Sequence, residues 1–451
     1  MINSQQLASL GLFDAKVPRY TSYPTAPVFS DAVTESTFET WIRAIPAGDQ
    51  ISLYVHVPFC RRLCWFCACR TQGTQSEEPV RAYLETLRAE LALLAQTLPE
   101  GVTLSRLHWG GGTPTLLAPD MMTELAQAIF AVAPLAEGAE FSVEIDPNEI
   151  DEARLDALAA AGMTRASIGI QDFDPKIQET IGRIQSFEVT RKAVEMIRAR
   201  GITSLNADIL FGLPFQTREK ITESVQKLLA LSPDRVALYG YAHVPWMARR
   251  QAMIPSDELP TPQERLGLFE TARRLFTWDG YAEIGIDHFA LKGDGLETAQ
   301  KNGTLRRNFQ GYTDDQAQVL LGVGASSISR FPQGFAQNAP STSKHTAAIR
   351  AGRFSVIKGH AFSGDDLLRG RIIEALMCDF RVSAAEITRD FSITPTALRA
   401  MFDTANAEFN GLLTVDETEL SIPEPVRPLT RMIARHFDAY DMTQAKHSSA
   451  I

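Results

Sequence analysis

Between residues 51 and 241, apolar runs of strand length alternate with longer segments that have helical periodicity. Six strands are predicted: Ile51–Val57, Arg106–Trp109, Glu140–Asp146, Arg165–Gln171, Ser204–Phe211 and Arg235–Tyr241. Because strands and helices alternate, the strands should be parallel and joined by right-handed crossovers. Six such units predict an α/β fold built on a partial, TIM-like barrel rather than a closed eightfold barrel.

The helical segments are bounded by residues that stop helices. The first begins near Glu77 and is stopped by Pro99, and its apolar positions recur at helical spacing: Val80, Leu84, Leu87, Leu91, Leu94 and Leu98. Two later helices, Asp151–Ala161 and Phe187–Arg200, are each followed directly by a glycine.

Four of the five cysteines lie within ten positions, directly after the first predicted strand. Cys60, Cys64 and Cys67 have Cys-x3-Cys-x2-Cys spacing, and thiolates select zinc, copper(I) or iron–sulfur clusters. Three ligands leave one coordination position open on a four-ligand centre. Cys69 could be a fourth ligand, but ligation by Cys67 and Cys69 together would crowd one iron, so we interpret Cys69 as a non-ligand.

Three other interpretations of the cysteines are weaker. A structural zinc site would need a second Cys or His pair downstream, and none follows in the sequence. A disulfide framework is disfavoured because only Cys378 lies elsewhere and five cysteines cannot all pair. Ordinary buried thiols would not be expected to cluster so closely in the sequence.

Each of the six predicted strands has a candidate site residue in its last part or directly after it. In strand order these are Cys60, Gly110–Gly112, Glu144, Gln171, Asp208 and Ala242. Active sites of α/β barrels collect at this edge, so these positions predict one shared site. The three glycines would let the backbone approach a ligand closely, although a tight strand-to-helix connection would also explain them.

The predicted strands and helices lie between two segments of different character. Residues 1–48 have little periodicity and form an arm that either anchors to the barrel or covers the site, while 49–361 form the catalytic domain with a barrel-closing extension. The helix Gln263–Trp278 and the segments Arg306–Tyr312 and Leu320–Ile328 would close the open side of the barrel or extend its sheet.

Residues 362–451 predict a smaller, mainly helical domain that resembles a winged helix. Its predicted elements are helices Leu367–Phe380, Ala384–Phe391 and Thr396–Asn410 and a hairpin within Leu412–Ile422. DNA binding requires a basic surface, but this segment has 14 acidic and 9 basic residues. A lid over the substrate or a support for the barrel is the better interpretation.

Charge and hydropathy exclude several classes of partner. The net charge of −10 argues against nucleic acid, although it allows an anionic substrate if positive charge is local to the site. The sequence contains no apolar stretch of membrane-spanning length, and Met1–Gln6 lacks the pattern of a signal peptide. We therefore expect a cytoplasmic enzyme that binds neither nucleic acid nor membrane.

The cysteine spacing, with Phe66 before the last cysteine, resembles the signature of the radical S-adenosylmethionine (SAM) superfamily. Within that superfamily, four segments resemble the oxygen-independent coproporphyrinogen III oxidases: Arg19–Thr25, Tyr54–Cys60, His108–Thr115 and Arg307–Tyr312. The similarity covers nearly the whole chain.

The resemblance implies a 4Fe–4S cluster on Cys60, Cys64 and Cys67 and two molecules of SAM. The first SAM would contact the cluster and these residues: Tyr54, Gly111, Glu144 and Ile328. The second would contact Phe66, Gly112, Thr113, Gln171, Arg183, Asp208 and Ala242. For Ile328, ordinary core packing is equally consistent with the sequence. His56 and His108 are interpreted as residues that pack beside the site or support it.

Two positions depart from the pattern of the family. Gly182 precedes Arg183 where the family commonly has Asn, and Trp65 replaces a more usual Tyr in the cysteine loop. The first change would loosen its neighbourhood, and the second keeps an aromatic shield but changes its hydrogen-bonding tip, which would affect the tuning of the cluster.

The reaction implied is oxidative decarboxylation of two propionate side chains of coproporphyrinogen III to vinyl groups, which gives protoporphyrinogen IX in haem biosynthesis. A reduced cluster would cleave SAM, and the 5′-deoxyadenosyl radical would abstract a hydrogen atom from the propionate. An electron donor for the cluster is implied, and a monomer is expected. Arg19, Arg306 and Arg307 are candidates to hold the substrate carboxylates, with structural ion pairs as the alternative.

A haem-binding or haem-modifying relative of the same family is one alternative function. The segments that contain Arg19 and Arg307 argue against it, because both are present. A non-catalytic iron–sulfur or regulatory module is the other alternative, suggested only by the winged-helix-like C-terminal segment.

Overall fold

A computed structural model describes residues 4–440 and 448–451. The predicted arm and C-terminal domain include residues 1–3 and 441–447, which lie outside the described residues. The arm contains two helices, α1 (Ser4–Ser9) and α2 (Glu35–Arg43).

The next part of the chain contains the predicted strand–helix units. Its elements are β1 (Gln50–Val57), β2 (Phe59–Cys60), β3 (Gln72–Gly73), α3 (Glu78–Thr97), β4 (Thr103–Gly111), α4 (Pro119–Val132), β5 (Leu135–Ile145), α5 (Glu152–Ala160), β6 (Arg165–Gln171), α6 (Pro175–Thr180), α7 (Phe187–Ala199), β7 (Ser204–Phe211), α8 (Arg218–Ala230) and β8 (Arg235–Gly240).

The remaining elements form an extension and the C-terminal domain. The extension contains α9 (Pro262–Trp278), β9 (Ala282–Ile284), β10 (His288–Ala290), α10 (Gly295–Asn302), β11 (Arg306–Asn308), β12 (Gly311–Thr313), β13 (Leu320–Val323), β14 (Ile328–Phe331), β15 (Gly334–Asn338), α11 (Thr342–Arg350) and β16 (Val356–Ala361). The C-terminal elements are α12 (Asp366–Asp379), β17 (Arg381–Ser383), α13 (Ala384–Asp390), α14 (Pro395–Glu408), β18 (Thr414–Val415), β19 (Glu419–Ser421) and α15 (Thr430–His436).

Twelve of the strands form one sheet, in the order β16-β15-β14-β13-β1-β4-β5-β6-β7-β8-β10-β9. The six predicted strands, β1 and β4–β8, are parallel neighbours, which confirms the α/β class. The segment Leu320–Ile328 extends the sheet, because β13 pairs with β1 as a seventh parallel strand. The segment Arg306–Tyr312 instead forms a separate hairpin, in which β11 pairs with β12.

Several strand ends differ from the prediction, and two of the differences lie at the candidate site. Pairing with β1 continues through Gly111, which lies opposite Val57, so β4 includes the first two glycines of the predicted turn. The strand β8 ends at Gly240, and Ala242 therefore lies just beyond it.

Helix α3 illustrates why these segments fold as predicted. Five of its apolar positions are buried against the sheet: Val80, Leu84, Leu87, Leu91 and Leu94. The helix ends at Thr97, two residues before Pro99, which cannot continue it. No helix within residues 4–440 is both long and apolar enough to cross a membrane.

The structure has two principal hydrophobic cores. The first joins the sheet, its surrounding helices and α2 of the arm. The second joins the C-terminal elements to the first part of the arm, including Leu12, Val17 and Tyr20. The arm therefore packs partly on the barrel and partly on the C-terminal domain.

The C-terminal elements follow the order helix, strand, helix, helix, strand, strand from α12 to β19, and the strands form one small antiparallel sheet. The winged-helix interpretation and the proposed division of the chain at residues 48 and 361 stay predictions.

Candidate active site

The cysteine loop begins at the carboxyl end of β1. Its two ends are tied together because β2 pairs with β3, which places Cys60 opposite Gly73. The middle of the loop is held by the backbone N–H of Trp65, which donates to the carbonyl of Ile181 at 2.9 Å. The loop is therefore anchored at its neck and at its tip.

The glycine turn lies directly against the chain that leads into this loop. The N–H of Gly112 donates to Val57 O at 2.8 Å, and the N–H of Thr113 donates to Phe59 O at 2.7 Å. A Cβ atom on Gly112 would lie 2.5 Å from Phe59 O, so only glycine allows this approach. The predicted closeness of the glycines to the cysteine loop follows from these two hydrogen bonds.

Glu144, near the end of β5, binds both the glycine turn and a histidine. Its Oε2 accepts from Gly111 N–H at 3.0 Å, and its Oε1 lies 3.3 Å from His108 Nε2. Burial alone would raise the pKa of Glu144, but hydrogen bonds from His108 and Gly111 outweigh burial and hold the pKa below its usual range. The side chain keeps 42% of its surface accessible, so an anionic carboxylate faces the barrel interior.

Three aromatic side chains surround this carboxylate. The ring of Tyr54 stacks on His108 with centroids 5.7 Å apart, and its hydroxyl lies 3.0 Å from His56 Nδ1. Nε2 of His56 lies 3.2 Å from the carbonyl of Arg70, which can only accept, so Nε2 carries the proton and Nδ1 accepts from Tyr54. Burial lowers the pKa of His56, which favours this neutral form. His56 and His108 thus contact Tyr54 and Glu144, and their supporting role stays a prediction.

Arg183 joins the cysteine loop to two strands. Its NH1 lies 3.6 Å from Cys64 Sγ and 3.2 Å from a carboxylate oxygen of Asp146, just after β5. Its NH2 donates to Gly169 O in β6 at 2.9 Å. The Nε atom of Arg183 is buried without a hydrogen-bond partner among the described residues.

The two departures from the family pattern meet in the structure. Gly182 has φ of +68°, and a Cβ atom there would lie 3.0 Å from ring atoms of Trp65. The indole therefore packs directly over the glycine. The sequence predicted that Gly182 would loosen the structure around Arg183. In the structure, the indole ring of Trp65 instead fills the space beside the glycine.

Asp208 lies in β7 and is unusually basic for a carboxylate. Burial raises its pKa to about 7, and the negative charge of Glu144 adds to the increase, while a hydrogen bond from Asn206 opposes it. Asn206 Nδ2 donates to Asp208 Oδ1 at 2.8 Å. Gln171, which ends β6, has φ of +71°, a strained conformation for a residue with a side chain.

Phe66 and Ala242 are brought together by a residue that the sequence did not indicate. Nε2 of Gln251 donates to Phe66 O at 2.7 Å and to Ala242 O at 3.0 Å. Gln251 is only 1% exposed, and its neighbour Arg250 donates to Cys69 O at 3.2 Å. Both lie in an irregular 3-10 segment (Arg249–Met253) with no periodic pattern, so no sequence signal pointed to them.

Ile328 lies apart from the residues on β5 to β8. It begins β14, and strands β13, β1 and β4 separate β14 from β5. Its main-chain oxygen packs closely on Gly322 in β13.

The three arginines considered for substrate binding have different surroundings. Arg306 lies 4.0 Å from Glu374 of the C-terminal domain, and Arg307 lies 3.7 Å from Asp287 and packs over the ring of Tyr312 at 4.4 Å. Arg19 is exposed and donates to Gly240 O at 2.7 Å. Ion pairing favours a structural role for the first two.

Cys60, Cys64 and Cys67 are free thiols, and three soft sulfur donors suit an iron–sulfur cluster. In the described ranges, no three His, Cys, Asp or Glu side chains converge closely enough to hold one metal ion. A cluster does not require such convergence, since each thiolate binds a different iron. A hydrogen bond from the Cys69 thiol lowers the pKa of Cys67 to about 6, although burial opposes it.

Comparisons with known proteins agree with this geometry. Residues 54–228 match the Radical SAM superfamily. The oxygen-independent coproporphyrinogen III oxidase of Paracoccus denitrificans is 67% identical over 451 residues, which cover 100% of both chains. The protein of that name from Cereibacter sphaeroides is 61% identical, covering 96% of this chain and 97% of its own. The solved structure of coproporphyrinogen III oxidase from Escherichia coli, described as a radical SAM enzyme, matches with a TM-score of 0.89 at 35% identity, covering 95% of this chain and 100% of its own.

Proposed function

Because the chain belongs to the family of oxygen-independent coproporphyrinogen III oxidases, we propose that it converts two propionate side chains of coproporphyrinogen III to vinyl groups. The product is protoporphyrinogen IX. The observation that carries this proposal is the junction of the cysteine loop, the glycine turn and Glu144 at the carboxyl edge of the parallel sheet. The chain is thereby an oxidoreductase of haem biosynthesis.

A radical SAM enzyme uses a 4Fe–4S cluster and SAM. When bound, these groups supply the 5′-deoxyadenosyl radical that abstracts a hydrogen atom from the substrate. Cys60, Cys64 and Cys67 would hold the cluster, and Cys69 would stay free. The donor set supports this assignment because three thiolates leave one iron for another ligand.

Four residues would bind the SAM molecule at the cluster: Tyr54, Gly111, Glu144 and Ile328. The lowered pKa of Glu144 keeps its carboxylate anionic, so it can accept from an ammonium group or from ribose hydroxyls. The hydrogen bond from Gly111 holds this carboxylate in one orientation. The position of Ile328, away from β5 to β8, suits contact with a different part of the molecule.

We also propose a second SAM molecule, held by Phe66, Gly112, Thr113, Gln171, Arg183, Asp208 and Ala242. Its support is that Arg183 contacts Cys64 of the cysteine loop, while Gln251 holds Phe66 of that loop beside Ala242. Asp208 would change charge near neutral pH because burial raises its pKa to about 7.

The substrate carries four carboxylates, and the chain must hold them while excluding water from the radical. Arg19 is the best of the three predicted arginines, because its surface is accessible and no carboxylate pairs with it among the described residues. The arm would then contribute to the cover of the site. Each propionate loses carbon dioxide, a hydrogen atom and one further electron, so an external electron donor and acceptor are required.

We further propose that the enzyme is a cytoplasmic monomer. The C-terminal domain would act as a lid or support rather than bind DNA, because its charge is negative overall.

The experiment is anaerobic reconstitution with iron and sulfide, followed by incubation with SAM, a reductant and coproporphyrinogen III. Chromatography should detect protoporphyrinogen IX after oxidation to the porphyrin, and the Cys64→Ser variant should give none. Cleavage of SAM without any vinyl product, together with binding or modification of haem, would instead support the haem-modifying alternative.

A further inference from the structure

A cavity of about 660 Å³ lies between the barrel, the arm and the C-terminal domain. Gly240 and Ala242 line it at the carboxyl end of β8, so it borders the candidate active site. Its volume is within the range of small-molecule sites.

Six arginines line this cavity, and they fall into two groups. In the first group, Arg273 pairs with Glu270, Glu283 and Glu424 at 2.5–3.4 Å, and Arg427 also pairs with Glu283. These charges are neutralised by the protein itself.

Three arginines of the second group carry positive charge that no Asp or Glu side chain among the described residues pairs with. Arg19, Arg265 and Arg431 make no ion pair with an Asp or Glu side chain in residues 4–440 or 448–451, and the hydrogen bonds found there run to main-chain oxygens. Nearby Arg307 is 4% exposed, with Nε and NH1 lacking hydrogen-bond partners in the described chain. Asp287 is the carboxylate nearest this group; it interacts with Arg19 and Arg431 at longer range, and its Oδ1 lies 3.7 Å from Arg307 and 2.7 Å from His288 Nδ1.

The cost of this arrangement appears in the pKa values. Burial, together with repulsion from Arg19, lowers the pKa of Arg265 to about 10 and that of Arg431 to about 9. Buried like charges repel one another and lose solvation, so a cluster of them is expected to bind a ligand of opposite charge.

The last residues of the chain bind the same arginines. Arg431 NH1 donates to Ser449 O and Ala450 O, each at 3.0 Å, and Arg265 Nε donates to Ile451 O at 3.1 Å. Ala450 N–H also donates to Ala15 O in the arm at 2.8 Å. Ser449 and Ala450 thus supply neutral carbonyl oxygens to Arg431, where a carboxylate would be a stronger acceptor.

We propose that Arg19, Arg265 and Arg431 form a binding site for substrate carboxylates, and that the segment Ser449–Ile451 occupies this site until the substrate displaces it. The inference rests on the proposed function for the identity of the ligand, a tetracarboxylate macrocycle. It assigns roles to Arg265 and Arg431, which the sequence did not indicate. It also explains how a protein with a net charge of −10 can bind a polyanion through local contacts.

The test is a fluorescence titration of the reconstituted protein with coproporphyrin III, an unreactive tetracarboxylate. Arg265→Gln and Arg431→Gln should each weaken binding about tenfold, the expected loss of one charge-assisted contact. Arg273→Gln is the matched control, because that arginine lines the same cavity but is already paired, and its dissociation constant should change by less than about threefold. Wild-type affinity in both Arg265→Gln and Arg431→Gln, or an equal loss in Arg273→Gln, would overturn the site.

Iron content and melting temperature identify a variant that folds badly. Arg431 also ties the arm through Val17 O and Pro18 O, so if its variant misfolds, Arg265→Gln decides the question.

Displacement of the segment is tested with Ala450→Gln, which adds a neutral side chain at a position that is 6% exposed. Weaker docking of the segment should tighten porphyrin binding about threefold or more, while Ser448→Gln should not. Unchanged affinity in Ala450→Gln would show that the segment does not compete. Failure of the wild type to make vinyl product would overturn the proposed function, whereas the arginine variants test the carboxylate site alone.

Discussion

The backbone N–H of Gly111 donates a 3.0 Å hydrogen bond to Oε2 of Glu144, joining the carboxyl ends of β4 and β5. Gly111 has φ of +109°, and a Cβ atom there would lie 2.4 Å from the ring of His56. The same glycine therefore orients the carboxylate and makes room for the histidine that accepts from Tyr54.

Replacement of Gly111 by Ala should lower the free energy of unfolding by about 3 kcal/mol, from backbone strain and the clash with His56. Gly138→Ala is the control, since Gly138 also has positive φ (+73°) but has no atom within 4 Å of an added Cβ. It should cost only about 1 kcal/mol. Urea denaturation measures both, and equal losses would show that the contact with His56 contributes nothing.

The raised pKa of Asp208 predicts a pH-dependent difference in stability. The pKa is about 7 in the folded protein and about 3.9 when unfolded, so the folded state binds the extra proton between these values. The stability that the folded state gains by binding this proton is fully present below about pH 4 and is lost as pH rises to about 7. The side chain in Asp208→Asn stays neutral at every pH. The free energy of unfolding of this variant, relative to that of the wild type, should therefore be higher at pH 8 than at pH 5 by about 2 kcal/mol.

The measurement is urea denaturation of both proteins across this pH range. In a Glu144→Gln background the window should move to lower pH, because the charge of Glu144 raises the pKa of Asp208. A stability difference that does not vary with pH would contradict the assigned pKa.

The contact between Trp65 and Gly182 predicts energetic coupling. Gly182→Ala should destabilise the wild type because its Cβ would press on the indole at 3.0 Å, whereas the same change in Trp65→Ala should cost less. A double-mutant cycle should give a coupling energy of about 1 kcal/mol. Additive losses in urea denaturation would show that the ring does not constrain residue 182.

The ligand assignment predicts a sharp division among the cysteines. Single Ser variants of Cys60, Cys64 and Cys67 should lose the visible absorption of the reconstituted cluster, while Cys69→Ser should keep it. Cys69 supports Cys67 through its backbone N–H, which donates to Cys67 Sγ at 3.4 Å and is unaffected by the side chain. The buried Cys378 supplies a control, and Cys378→Ala should retain iron. Complete loss of iron in Cys69→Ser would make the assignment wrong.

The strands and helices of the barrel could be predicted because their signals are local. The burial of α3 and the positions of β6 and β7 follow from the spacing of apolar residues over single elements. Parallel strands then place their carboxyl ends at one edge, so the nearness of the cysteine loop, the glycine turn and Glu144 could be inferred as well.

The role of Arg306 could not be obtained in this way. Its pairing with Glu374 depends on how the β11–β12 hairpin packs on α12, a contact between segments more than sixty positions apart. The parallel pairing of β13 with β1 is a similar long-range result, because a four-residue strand carries no information about its partner.

The sequence by itself determined the α/β alternation, the cysteine spacing and the family. The first two depend on residues close together in the chain, and the family depends on sequence similarity along the whole chain. Only the tertiary structure decided that Gln251 binds the cysteine loop and that Arg265, Arg431 and Arg19 line one cavity without Asp or Glu partners among the described residues. The physical reason is that charge balance and hydrogen-bond satisfaction are set by all groups packed around a side chain, and these come from distant parts of the sequence.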